Sequence, residues 1–191
     1  MPNELTELFR ANDPTSTLTD EEITLRFAES NNDRLDALLQ QYPKSAILFN
    51  IQGAVLRGLG HLDLSVEAYT KAISIKPDFA EAYINMGIAL TNFVFTKPNR
   101  DLQKTIVSLL DKKLYVRPED IAIAAISLLK FEPGLEKQLK LVNDDKVIQD
   151  PLYIISDLSE LPLLLKLMSV CPLPDLELEK LFKQLRASIL E

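Results

Sequence analysis

Residues 46–79 read AILFNIQGAVLRGLGHLDLSVEAYTKAISIKPDF, and residues 80–90, AEAYINMGIAL, begin the same pattern again. Ala46 and Ala80, Phe49 and Tyr83, and Gly53 and Gly87 each stand 34 residues apart, and Pro43 precedes Pro77 by the same offset. Asn50 and Ile84 share the spacing but not the chemistry. A fixed period of this length marks a chain of stacked supersecondary units, none of which can bury its apolar face alone. Within the unit, Phe49, Val55 and Leu56 recur at helical spacing, as do Val66, Tyr69, Ala72 and Ile73. Gly58-Leu59-Gly60-His61 separates the two runs, because two glycines so close favour reversal over helix. Pro77 closes the second run, since proline cannot continue a helix. The unit is therefore two helices. Gly53 lies inside the first of them, where glycine costs about 1 kcal/mol relative to alanine. Its recurrence at Gly87 predicts a close helix approach rather than a tolerated surface glycine.

On these residues the stretch 46–79 resembles a tetratricopeptide repeat, through Phe49, Gly53, Leu56, Gly60, Tyr69, Ala72 and Pro77. Gln52 and Ser65 replace the usual leucine and alanine, although Ser65 keeps the small size. The next unit matches through Tyr83, Asn85, Gly87, Ala89 and Leu90, then breaks at FTKPNR, where Pro98 displaces its second helix. Upstream, EEITLRFAESNNDRLDALLQQYP reads as a degraded unit keeping mainly its second helix and Pro43. The resemblance implies an all-α fold of helix-turn-helix repeats in a right-handed superhelix, with a protein or peptide bound on the concave face. In that family the first helix of each unit lines the groove. Carried over by position, the lining is Asn50, Ala54 and Arg57, followed by Glu81, Ile84, Asn85, Ile88 and Asn92. Asparagine amides can pair with a peptide backbone as donor and acceptor; the alternative is a merely solvated helix face. Members that clamp a C-terminal carboxylate use basic residues where Asn50 and Glu81 stand, which argues against that role.

Past Asn99 the period is lost while helical patterning continues, predicting an irregular helical bundle. Asn99 is placed to cap DLQKTIVSLLDKK, whose Leu102, Ile106, Leu109 and Leu110 share a face. Pro118, with Glu119 and Asp120 behind it, is a helix start in front of the nearly all-apolar IAIAAISLLK. Pro133-Gly134 is expected to separate that helix from LEKQLKLV, Ser159 to start one through LPLLLKLMSV, and Pro174-Asp175 to open the last. VIQDPLYIISDL fits either loop or short helix. The stripe from Leu161 to Met168 suits a core helix, the alternative being a partner's docking face. The segments TKPNRDLQKTIVSLLDKKLYVRPEDIAIAAISLLKFEP and ISDLSELPLLLKLMSVCPLPDLELEKLFKQLRASIL look like the non-catalytic amino-terminal region of large bacterial methyltransferases that carry tetratricopeptide repeats. That resemblance implies a second role, a substrate-recruiting arm of an enzyme using S-adenosylmethionine. The chain ends on SILE with no stop signal, as expected of a piece of something longer. The expected organisation is a flexible stretch over 1–20, repeats over 21–97 and the helical region over 98–191.

Composition narrows the chemistry. The 191 residues are 47% apolar and 26% charged, a globular mix, and the net charge of −7 opposes a nucleic-acid partner. One His and one Cys exclude a cysteine-rich zinc site, a disulfide framework and a two-histidine metal motif. MPNELTELFRANDPTSTLTDEE lacks the basic end and apolar run of a signal peptide, and LPLLLKLMSV is too short to span a bilayer. A cytoplasmic protein with no membrane partner is expected. The lone G-x-G, Gly58-Leu59-Gly60, lies between helices rather than after a strand, so no cofactor is expected. His61 reads as a solvated turn residue, Cys171 as buried packing, and the carboxylates Asp144-Asp145, Asp175, Glu177 and Glu179 as solvated helix ends. No catalytic constellation is visible, and a non-enzymatic binding scaffold is the expectation.

Overall fold

A computed structural model describes residues 34–112, 115–144 and 150–190, and these are helices and turns with no strand among them. The fold is all-α and built from helical repeats. The segments expected to be flexible (1–20) or to begin a degraded repeat (21–33) lie outside the described residues. The chain divides into two compact units after Met86, within one helix.

The first unit comprises α1 (34–41), α2 (Ala46–Gly58), α3 (Leu62–Ile75) and the first turns of α4 (Ala80–Leu90). Ser45 starts α2 by accepting a hydrogen bond from the Leu48 amide at 3.3 Å, which satisfies one orphan donor. Gly60 reverses the chain at φ +81°, a left-handed conformation that glycine adopts without the steric penalty of a Cβ. The helices α2 and α3 then pack against each other, burying Leu56 on the first and Val66, Tyr69, Ala72 and Ile73 on the second. At Gly53 a Cβ would lie 2.5 Å from Tyr69 Cε1, well inside van der Waals contact. The glycine that weakens α2 thus admits a tyrosine ring with no solvent exposure. Ser65 has a function that its size alone did not suggest: its buried Oγ donates to the Gly53 carbonyl at 2.7 Å, locking the same crossing. Burial raises the Tyr69 hydroxyl above its ordinary pKa, against the opposing charge of Arg57 and the Ser65 hydroxyl. Gln52 Nε2 donates to Asp36 Oδ1 at 2.7 Å, tying α2 back to α1.

The second unit starts at Gly87, the other glycine of the repeat. Here a Cβ would meet Val116 Cγ2 at 2.9 Å, so the close approach recurs with a different partner. The reason is the break after α4. Asn92 takes φ 57°, one of the few side chains that tolerates this region, and the chain leaves the helix. Residues 91–99 are non-helical, held by an edge-on Phe93–Phe95 pair and by a 2.9 Å bond from the Phe95 amide to Ser127 Oγ. Asn99 then caps α5 (Arg100–Asp111) by accepting from the Leu102 amide at 2.9 Å.

Proline sets the next four starts, at the first helical position of α6 (Pro118–Leu129), α7 (Pro133–Asn143), α8 (Pro151–Ser159) and α9 (Pro162–Val170). Its missing N–H would be unpaired there in any case, and its fixed φ suits the helix. This corrects two expectations. Pro133-Gly134 begins α7 instead of separating two helices, and Ser159 ends α8, leaving Pro162 to start α9. The ambiguous VIQDPLYIISDL is helical from Pro151, with Asp150 capping through the Tyr153 amide; residues 147–149 lie outside the described set. The last helix, α10 (Leu176–Leu190), is capped by Asp175, which accepts from the Leu178 amide at 3.0 Å.

Within this unit α6 is the core: Ile121, Ala122, Ala124, Ala125, Ile126, Leu128 and Leu129 are all buried. Helices α5 and α9 pack on it, α9 also touches α5 and α8, and α10 lies against α7 and α8. Lys130, just past α6, reaches Asp175 Oδ2 and Glu177 Oε2, both at 2.6 Å, and Asn143 Nδ2 donates to Glu177 Oε1 at 2.6 Å. Two carboxylates read from sequence as solvated helix ends therefore join the ends of three helices. Burial opposes the Lys130 charge, but the two carboxylates outweigh it and hold the ammonium above its ordinary pKa. The Glu177 carboxyl is held below its ordinary value by Lys130 and then by Asn143.

Candidate functional site

The residues assigned to the groove separate in the structure. Helices α2 and α4 are the first helices of successive repeat units, and they meet where Asn85 Nδ2 donates to Asn50 Oδ1 at 3.1 Å. Asn50 is only 5% exposed. It was expected on an open face, and the structure corrects this: the side chain is consumed by packing between the two helices. The reason is register, because a position one step along the helix from the exposed Ile51 turns toward Asn85 of α4. Its amide then needs a partner, which Asn85 supplies. We expect Asn50→Ala to destabilise the chain by about 1–2 kcal/mol, because it leaves the half-buried Asn85 amide unpaired. Denaturant unfolding checks this, the open-face reading requiring a change near zero.

The other positions are more accessible. Ala54 and Arg57 are half-buried, and Glu81 and Ile84 are exposed. Arg57 stands in the last turn of α2 and Glu81 in the first turn of α4, so each also complements its own helix dipole. Ile88, one turn past Ile84, is exposed and falls in the second unit together with Asn92. Asn92 is exposed and lies beyond the end of α4, where its left-handed conformation ends the helix. One residue was missed. Ile47 is 62% exposed, the most solvent-open isoleucine on the described part of either first helix. The signal was available, since Ile47 precedes Glu81 by the repeat offset of 34. On its first helices the first unit therefore exposes Ile47 and Ile51 on α2 and Ile84 on α4, with Arg57 half-buried and Glu81 exposed.

Among the described residues no other cluster competes as a reactive site. Among the described residues no group of His, Cys, Asp and Glu is arranged to hold a metal ion. His61 is exposed ahead of α3. Cys171 is buried, and burial together with the Glu119 charge pushes its thiol above the ordinary range, away from the reactive thiolate. No described helix is long and apolar enough to cross a membrane.

Comparison with known proteins bears on the same stretch. Residues 53–92 match the family model described as TPR repeat, the tetratricopeptide repeat. A curated relative, the peroxisomal targeting signal receptor of Candida albicans, is 38% identical over 60 residues, 31% of this chain and 10% of the receptor. The chain thus matches about a tenth of that relative's length. No solved structure matches. The family match runs from Gly53, whose packing against Tyr69 defines the helix pair, to Asn92, where the repeat breaks.

Proposed function

We propose that this chain is a non-enzymatic binding module that takes up a segment of another protein on the first-helix face of its tetratricopeptide unit. The observation that supports the reading is the Asn85–Asn50 bond, which joins α2 to α4 while Ile47 and Ile84 stay open to solvent. Exposed isoleucines gain nothing from water, and repeat proteins use this face for binding. The similarity to a targeting signal receptor supports a peptide segment as the ligand. With one cation, Arg57, and one anion, Glu81, the face favours an aliphatic segment over a strongly charged one.

The test is selection of a displayed random-peptide library on the full chain, followed by titration of the enriched peptides. Ile84→Glu should leave folding within about 0.5 kcal/mol, as exposed substitutions do. It should weaken those peptides about tenfold or more, since it sets an ionised carboxylate against an apolar anchor. Peptides that bind the variant as well as the parent would exclude this face.

A further inference from the structure

Ile47 and Ile51, one turn apart on α2, are 62% and 42% exposed. The chain enters the first unit beside this pair. Asp36, the third described residue, accepts from Nε2 of Gln52, the immediate neighbour of Ile51. Residues 1–33 are therefore joined to the fold next to α2. Within them, residues 4–10 read ELTELFR, with Leu5, Leu8 and Phe9 at the i, i+3 and i+4 spacing of an apolar stripe. Residues 11–20 hold Leu18 as their one large apolar side chain, and 21–33 belong to the stretch that reads as a degraded repeat.

Charge points the same way. Residues 1–33 carry eight carboxylates and two arginines, so six of the seven net negative charges lie there. Residues 34–58 carry Arg34, Lys44 and Arg57 against Asp36 alone, and Asp36 is the carboxylate that Gln52 holds. The anion on the next first helix is Glu81, and the stretch 4–10 ends on a cation, Arg10. Twenty-four residues separate Phe9 from Arg34. A coil of that length averages about 25–30 Å end to end, against about 20 Å for a helix as long as α2. A tether on that scale keeps its end near α2 at about millimolar effective concentration, far above a second copy at about micromolar protein.

We propose that residues 4–10 of this chain occupy the Ile47–Ile51 face of α2 and compete there with a segment of another protein. Leu5, Leu8 and Phe9 cover the two isoleucines, and the acidic stretch around them offsets the cations of residues 34–58. The competition rests on the binding face proposed above; the occupancy does not.

A nitroxide label at Thr6→Cys in the full chain tests the occupancy through paramagnetic broadening of its nitrogen-15 spectrum. Cys171 is buried, so the label goes to the new thiol. The amides of Ile47 and Ile51 are expected to lose about half of their intensity or more. Leu8→Ser with Phe9→Ser in the labelled chain should restore most of it, although the tether and the net charge are unchanged. Equal broadening with and without the two serines overturns the proposal, because the tether alone then accounts for it. So does broadening centred on Leu38 and Tyr42, the exposed apolar pair of α1. Broadening of unlabelled nitrogen-15 chain by added labelled chain would make a second copy the occupant, and overturns it equally. An untethered segment binding at about 0.1 mM, held at about millimolar effective concentration, weakens a competitor about tenfold. Library-selected peptides should therefore bind the Leu8→Ser, Phe9→Ser chain about tenfold more tightly than the parent, and equal affinities overturn the competition. Restored intensities with no peptide selected by either chain would support the occupancy and contradict the foreign-segment reading.

Discussion

Gly53→Leu is expected to destabilise the chain by about 3 kcal/mol, because the new side chain must enter space filled by the Tyr69 ring. Even the Cβ alone would sit 2.5, 2.7 and 2.8 Å from three ring atoms of a residue with no solvent exposure. That ring is hemmed by the α2–α3 crossing and by the Ser65–Gly53 hydrogen bond, so it has nowhere to retreat. The effect runs against helix propensity, which alone would favour any substitution of a helix-interior glycine by about 1 kcal/mol. The two contributions are separable. In a Tyr69→Ala background, Gly53→Ala should become stabilising by about 1 kcal/mol, because the obstacle is gone and only propensity remains. Denaturant unfolding of the four chains measures the coupling. If Gly53→Ala changes stability equally in both backgrounds, the crossing is not what holds glycine at this position.

Leu128→Ala should cost about 3 kcal/mol, within the range seen when a fully buried leucine is truncated. Leu128 lies on α6, which α5 and α9 flank, and it has no exposed surface. Collapse around the missing atoms is restricted because its helix neighbours Ala124 and Ala125 are already small and buried. Ile123 on the same helix is 39% exposed, and Ile123→Ala should cost under about 1 kcal/mol. The contrast between the two positions in thermal or denaturant unfolding reads out the orientation of α6. Equal costs would mean that the helix is rotated from the arrangement described.

How much of this was legible depended on whether the deciding contact was local or repeated. The two-helix unit was readable because Gly53, Tyr69 and Pro77 sit at fixed places in a period and each has its own steric reason. Caps at Asn99 and Asp175 were readable because an N-cap is a bond between residues three apart. Asn50 was misplaced because helical position assigns a residue to a face, while burial depends on its neighbour 35 residues away. Lys130 gave no signal, since its carboxylate partners lie beyond three intervening helices in the chain. The division of the Leu161–Met168 stripe was also hidden. Leu163, Leu164 and Leu167 are buried while Leu165 and Met168 are exposed, and in so short and apolar a helix the order of residues does not say which of them reach the core.

The central claim is that the tetratricopeptide unit takes up a peptide segment on its first-helix face. The most direct measurement is nitrogen-15 chemical-shift mapping of the full chain during titration with a library-selected peptide. The expected result is saturable shifts concentrated in α2 and in α4 through Met86, with Ile47 and Ile84 among the amides that move most. Shifts confined to α8 and α9, or spread evenly over both units, would contradict it.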